Sequence, residues 1–471
     1  MSTNELVYRD LTDIARAIAA REVSSSEVTE AMLERINLLD AALGSYVEVM
    51  ADSARGEAAA ADKAISRGDA LGPLHGVPVA VKDLCDASGV RTIAGMPRVR
   101  GAIEPATSDA TVVQRLRQAG AVLLGKLQLT EGAVAHHHPD VRPPLNPHNP
   151  NYWAGASSSG SGAATAAGLC YASLGSDTGG SIRFPSFAHG LTGLKQSWGR
   201  VSRAGVVPLS WSLDHVGPIT RSAADCAAVL GAIAGQDPRD PTALSVPVPD
   251  YSGELGLGLA GLRIGFDEAY ATEQVDAEIA QSMRDALAIF KDGGASIVPV
   301  GFPDTAAAID AWFPLCTADA AAAHAATYPA RKSDYGPGLA DLLDTGLATS
   351  GVEYANAHDV RQNFRGRMLH MFNDVDIVIV PAFMRQNLTL AEFETFGSRE
   401  TDWPELVRFT APFDIAGTPT LSLPSGFNGD GAPFGFQLAA GHLNESGLTR
   451  AGHVYQQATS WHRQRPQQLP S

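Results

Sequence analysis

Residues 155–183 read GASSSGSGAATAAGLCYASLGSDTGGSIR, and the rest of this 471-residue sequence falls into place around them. The stretch opens on a serine- and glycine-rich turn, Gly155–Gly162, followed by residues so small that Ala163–Leu169 predicts a tightly buried helix. Tyr171–Gly175 then predicts a strand, and Asp177-Thr178-Gly179-Gly180-Ser181 a tight turn. Gly179 and Gly180 remove Cβ atoms where backbone N–H groups can converge on one oxygen. A hydroxyl at Ser181, directly after that nest, is placed as a nucleophile beside its own oxyanion hole. Taken singly, each turn is more often a plain serine–glycine connection flanking a buried helix.

Working outward, strand and helix signals alternate. Val77–Val81 and Ala121–Leu124 are short apolar runs of strand type, with a helix predicted over Thr111–Ala119 between them. Further strands are expected at Arg263–Phe266, Ser296–Val300, Ile377–Val380 and Thr420–Leu423, and a helix over 305–326. Toward the start, Leu11, Ile14, Ala15 and Ile18, then Val28, Met32, Ile36 and Leu39, repeat at helical spacing, with Ser24–Ser26 and Glu27 as a cap. These patterns predict an α/β chain: one compact unit over 1–471, a sheet with helices on its faces and a helical N-terminal layer over 1–70. Gln236–Tyr251, rich in proline and aspartate, reads as an exposed connection.

Composition narrows the function. Hydrophobic residues are 45% and charged residues 18%, enough for a large core. A net charge of −16 repels phosphate backbones, which sets nucleic-acid binding aside. Four cysteines, at 85, 170, 226 and 316, form no CxxC pair and no disulfide framework, as expected of a reduced compartment. The start, MSTNELVYRD, lacks a signal-peptide pattern, and no apolar run approaches the ~20 residues of a membrane helix. A cytoplasmic protein with no membrane association is the expectation.

Three apparent motifs carry less than they suggest. Gly120-Ala-Val-Leu-Leu-Gly125-Lys126 matches the first seven positions of a phosphate loop, but Leu127 replaces the hydroxyl that would hold magnesium. His136-His137-His138 lacks the spacing of a metal site, because consecutive imidazoles point apart; no metal and no cofactor is expected. Asp214-His215 has no GxSxG elbow to serve.

The remaining motifs resemble those of the amidase signature family. Gly155–Gly162 with Gly175–Arg183 is similar to its signature, and Gly76-Val-Pro-Val-Ala-Val-Lys82-Asp83 to its lysine-bearing strand. Gly193-Leu-Lys195, Gly199–Ser202, Ser212–Pro218 and Gly417–Gln437 follow the same pattern, so that the resemblance spans nearly the whole chain. It implies the amidase signature fold, a single α/β domain over 1–471 with a mixed central sheet, helices on both faces and a catalytic core over 76–235, and a Ser-cisSer-Lys triad: Ser181 the nucleophile, Ser157 the bridging serine after a cis peptide, Lys82 the base. Ser157 and Ser181 stand 24 residues apart, as in the family. The resemblance also implies an oxyanion hole from the N–H groups of Thr178, Gly179, Gly180 and Ser181, with Ser158 supporting the lysine. For Lys82 to accept a proton its pKa must fall from about 10.4 toward ~7–8, which burial beside Val79 and Val81 favours.

The implied activity is hydrolysis of a small carboxamide, or a related anilide, ester or carbamate, through an acyl-enzyme on Ser181. His136, Trp312, Phe313, Phe383 and Met384 are the candidate substrate contacts, aromatic and thioether side chains being equally at home in a core. The expected partner is a small-molecule substrate, with a homodimer left open. Two departures from the family's pattern bear on substrate. Gly132–Leu145, GAVAHHHPDVRPPL, lacks the Ser-Thr-Glu-Asn-like segment of the amidase subunits of glutamine-dependent tRNA amidotransferases, and Ala-Phe-Met-Arg follows Pro381. The alternative reading is one of those amidotransferase subunits. A catalytically silent relative is a third, which an intact triad opposes.

Overall fold

In the computed structural model, which describes residues 3–395, 402–467 and 469, the apolar runs become strands of one eleven-stranded mixed sheet. In chain order these are β1 (Tyr46–Val49), β2 (Pro78–Lys82), β3 (Val122–Leu127), β4 (Ala172–Asp177), β5 (Thr192–Lys195) and β6 (His215–Thr220). They continue as β7 (Arg263–Phe266), β8 (Ser296–Pro299), β9 (Ile377–Pro381), β10 (Thr420–Phe427) and β11 (Pro433–Ala440). Across the sheet the order is β1-β3-β2-β4-β6-β5-β10-β11-β9-β7-β8. Strands β3, β2 and β4 run parallel, as do β9, β7 and β8, and an antiparallel centre joins the two groups.

Every residue of β2, β3, β4, β9 and β11 is buried, as uninterrupted apolar runs require when helices cover both faces. The outer strands β1 and β8 are the exposed ones. The parallel pairing of β2 with β4, Val81 opposite Leu174, sets the carboxyl ends of these strands side by side. Lys82 ends one and Asp177 the other. Open α/β sheets hold their ligands at such an edge.

The N-terminal layer forms as the periodicity predicts, with Val28, Met32, Ile36 and Leu39 buried along Ser25–Leu43. Ser24 and Glu27 close a reciprocal capping box at its start. The layer is not wholly helical, however. Tyr46–Val49 leaves it to pair antiparallel with β3, a strand too short and too exposed to announce itself. β5, β6 and β11 also go beyond the strands expected from sequence, because glycine and proline interrupt them: Pro218 pairs with Leu174 inside β6.

The connection 236–251 is exposed except where it is pinned. Asp237 accepts from the Thr111 and Ser202 hydroxyls, and Tyr251 accepts from Arg200. Gly120–Lys126 is strand rather than phosphate loop, and Lys126 is fully buried against Asp83 at 2.9 Å. All four cysteines are buried free thiols. Among the described residues no helix is long and apolar enough to cross a membrane.

Candidate active site

Lys82, the last residue of β2, has no exposed surface. Its Nζ lies 2.6 Å from Ser157 Oγ and 2.8 Å from Ser176 Oγ. Burial pushes the ammonium down to about 7, against the opposing pull of Asp177 and Asp214. Near neutral pH the amine is therefore free to take up a proton. Ser157 follows a cis peptide from Ala156 and is itself fully buried. Its segment is held from both sides: the Ser157 carbonyl accepts from Thr130 N–H, and Ser159 Oγ lies 3.1 Å from His137 Nε2.

Beyond β4 the chain turns through Thr178, Gly179 and Gly180 into Ser181 and the short helix Arg183–Ala188. The turn admits glycine alone at two places. A Cβ on Gly179 would lie 2.5 Å from the Trp312 ring, and one on Gly180, at φ +134°, 2.3 Å from the Phe184 ring. The peptide planes are fixed from outside. Trp312 Nε1 donates to the Thr178 carbonyl at 2.8 Å and Thr410 Oγ1 to the Gly179 carbonyl at 2.6 Å. Since N–H and C=O of one trans peptide point oppositely, the bond from Trp312 aims the Gly179 N–H away from the indole.

Asp177 anchors the turn beneath. Its carboxylate accepts from Gly180 N–H at 2.7 Å, from Ile182 N–H at 2.9 Å and from the Arg183 guanidinium. Burial raises this carboxyl, but the guanidinium more than offsets it and holds Asp177 well below the usual carboxylate range. Arg183 also reaches Asp414 at 2.6 Å and the Thr410 carbonyl at 2.8 Å. Asp414 is pushed up to about 8 by burial, which Arg183 resists and the Asp177 charge reinforces.

Ser181 lines a cavity of ≈420 Å³, within the usual range for small-molecule sites. Ala156, Thr178 and Gly179 share its floor, and Trp312, Phe313, Leu342 and Leu406 its apolar walls. His136 closes one side, its ring 5.1 Å from that of Phe393. Burial lowers the His136 pKa, so the imidazole faces the cavity uncharged at neutral pH.

Known proteins share this sequence along most of its length. A family model described as Amidase matches residues 27–449. The chain belongs to the amidase signature family. AmiD of Mycobacterium tuberculosis, named a putative amidase, is 45% identical over 457 residues, covering 97% of this chain and 95% of that protein. The A-type subunit of the glutamyl-tRNA(Gln) amidotransferase of Chromohalobacter salexigens is 37% identical over 486 residues, covering 97% and 98%. A solved structure of a vestigial protein complex, bearing on the origins of an s-triazine catabolic enzyme, superposes with a TM-score of 0.88 at 34% identity, over 96% and 98% of the two chains. As an amidase, the protein acts on carbon–nitrogen bonds other than peptide bonds.

Within this amidase the fold brings Lys82, Ser157 and the Thr178–Ser181 turn to one end of the β2–β4 pair, and His136, Trp312 and Phe313 to the cavity above. Four expected contacts fall elsewhere. Ser158 exchanges hydrogen bonds with the Ser176 backbone at 3.3 Å, and it is Ser176 whose hydroxyl meets the lysine. The Gly180 N–H is spent on Asp177 and so leaves the expected set of oxyanion donors. Phe383 lies one layer back, edge-on to Phe184 and Phe187 at 6.2 and 6.0 Å. Met384 is buried, and its carbonyl accepts from Asp276 N–H.

Ser176 and Arg183 stand inside the signature stretch, where a hydroxyl and a guanidinium beside Asp177 are a usable signal. Leu342, Leu406 and Thr410 carry none, since apolar and hydroxyl side chains on distant helices and turns look the same wherever they pack. The three consecutive histidines diverge: His136 to the cavity, His137 to Ser159, and His138 Nδ1 to the Asp140 N–H.

Proposed function

We propose that this amidase hydrolyses small carboxamides, and related anilides, esters or carbamates, through an acyl-enzyme on Ser181, with Ser157 and Lys82 as proton carriers. The observation that carries the reading is the Lys82–Ser157 contact at 2.6 Å, made by a lysine buried enough to be neutral near pH 7. Neutral Lys82 takes the Ser157 proton while Ser157 takes that of Ser181, and Ser181 Oγ bonds to the carbonyl carbon. Charge gathers on the carbonyl oxygen, which the N–H groups of Thr178, Gly179 and Ser181 receive; each such donor is typically worth ~2.7–4 kcal/mol in the transition state. The relay reverses to protonate the departing nitrogen, and the carbon–nitrogen bond breaks. Water then enters by the same route and releases the acid.

The test is mass spectrometry of wild-type and Ser181→Ala protein after a sulfonyl fluoride or phosphonate, beside turnover of an amide, anilide, ester and carbamate panel. One adduct on wild type alone, with turnover, supports the reading; equal labelling of both proteins moves the nucleophile elsewhere. A second reading, the amidase subunit of a tRNA-dependent amidotransferase, is favoured by the 37% identity to such subunits. It predicts glutamine as substrate and dependence on a partner and ATP. Turnover of the panel by the purified chain alone argues against it, as does the sequence of residues 132–145.

A further inference from the structure

A second, smaller cavity of ≈100 Å³ lies next to the first. Ala133 and Leu209 line both. The small cavity is not simply an apolar void, because Ser176 and Asp214 also line it. Ser176 Oγ is the second partner of Lys82 Nζ, and Asp214 accepts from Thr178 Oγ1 at 2.6 Å. The small cavity therefore stands on the lysine's side of the oxyanion turn, whereas the large one opens over Ser181 itself.

Resting on the reading of Ser181 as the acylated serine, we propose that the two cavities divide the substrate. The large one holds the acyl group, the small one, whose mainly apolar wall carries Ser176, Arg203 and Asp214, receives the leaving amine, and the preferred substrates are primary carboxamides of bulky apolar acids. The leaving nitrogen must take its proton from Ser157, which is bonded to Lys82, so it departs on the side where Ser176 stands. Size then decides what can leave. An apolar cavity of about 150 Å³ binds benzene; one of ≈100 Å³, a third smaller, has room for ammonia or methylamine and disfavours aniline. The large cavity, at ≈420 Å³ and walled by Trp312, Phe313 and Leu342, suits a phenylalkyl or branched acyl chain. The reaction balances as amide plus water giving acid plus ammonia. Ser181 Oγ–C forms as C–N breaks, the Ser181 proton reaches nitrogen through Ser157, and water supplies the second oxygen of the acid.

The experiment is a kcat/KM series on the purified full chain with 3-phenylpropionamide, its N-methyl, N-propyl and anilide derivatives, and acetamide, with Ser181 acylation followed by mass spectrometry. The primary amide should exceed the anilide by about 100-fold, although aniline is the better leaving group, and acetamide by about tenfold, in keeping with the roughly 10–200-fold that one misfitting methylene costs. Val207→Ala, which widens the small cavity, should raise the N-propyl to primary ratio about tenfold. Anilide turnover within tenfold of the primary amide, with Ser181 acylated, overturns the division of cavities and leaves the amidohydrolase reading intact. An unchanged ratio in a folded Val207→Ala protein does the same. Absence of both turnover and a Ser181 adduct removes the amidohydrolase reading and this inference with it.

Discussion

The floor and the roof of the cavity are built by different means. The floor, Lys82 with residues 156–183, is a lattice of short polar contacts: lysine to two hydroxyls, Asp177 to backbone N–H groups and a guanidinium. The roof comes from three helices, Ala306–Ala323, Pro337–Ala348 and Asp402–Val407, and presents mainly apolar side chains to the cavity. Polar contacts are directional and tolerate little displacement, whereas apolar packing accepts any side chain of similar volume. The floor fixes a reaction; the roof selects what undergoes it.

If that division holds, damage to the floor should appear in kcat and damage to the roof in KM. The largest effect belongs to Ser181→Ala, expected to lower kcat by about 10⁴-fold or more while substrate still binds. A residual rate within tenfold of wild type, with burst kinetics retained, would break the comparison outright. Lys82→Met comes next, at about 10³-fold in kcat/KM. Because the folded pKa of Lys82 is depressed to about 7, the amine is protonated below that pH and inactive. Wild-type kcat/KM should therefore climb as pH rises through about 7 and level off above it, and the variant should lose that limb. A profile flat from pH 6 to 9 would count against a lysine base.

Trp312→Phe probes the seam between the two regions, since its indole both walls the cavity and holds the Thr178 carbonyl. Phenylalanine keeps the wall and removes the donor, so kcat should fall about tenfold with KM nearly constant, a fraction of what losing an oxyanion donor costs. A change confined to KM would make Trp312 a roof residue only. The smallest effect is expected from Leu342→Ala. It should raise KM for apolar acyl groups about fivefold, in line with ~1 kcal/mol of lost burial, and leave kcat within twofold.

The same contrast explains what can be read from the sequence. Lys82, Ser157 and the 178–181 turn are legible because a buried lysine that must meet hydroxyls and a backbone packed closely against two aromatic rings restrict residue type at each position. The buried runs 77–81 and 377–380 are legible as strands for a similar reason, nothing polar being tolerated between two helical layers. β6 is not, since a glycine and a proline inside it deny the local signal that pairing with β4 overrides. Nor is the Gly180 N–H, whose loss to Asp177 depends on how far the carboxylate reaches around the turn. Phe383 and Met384 look like pocket residues and are core, because aromatic and thioether side chains serve either place.

Arg183 reaches 231 residues along the chain to find Asp414, and Thr410 reaches back as far to hold the Gly179 carbonyl. A ribosome adding about 5–20 residues per second needs roughly 12–46 s to cover that interval. Throughout it the serine hydroxyls and the lysine have already been made, yet the guanidinium lacks one of its two carboxyl partners and the glycine turn at least one of its two outer clamps. A half-synthesised chain thus carries the residues of a hydrolase without the means to hold them in register. The turn that carries Ser181 is held in its final shape only when the C-terminal segment arrives.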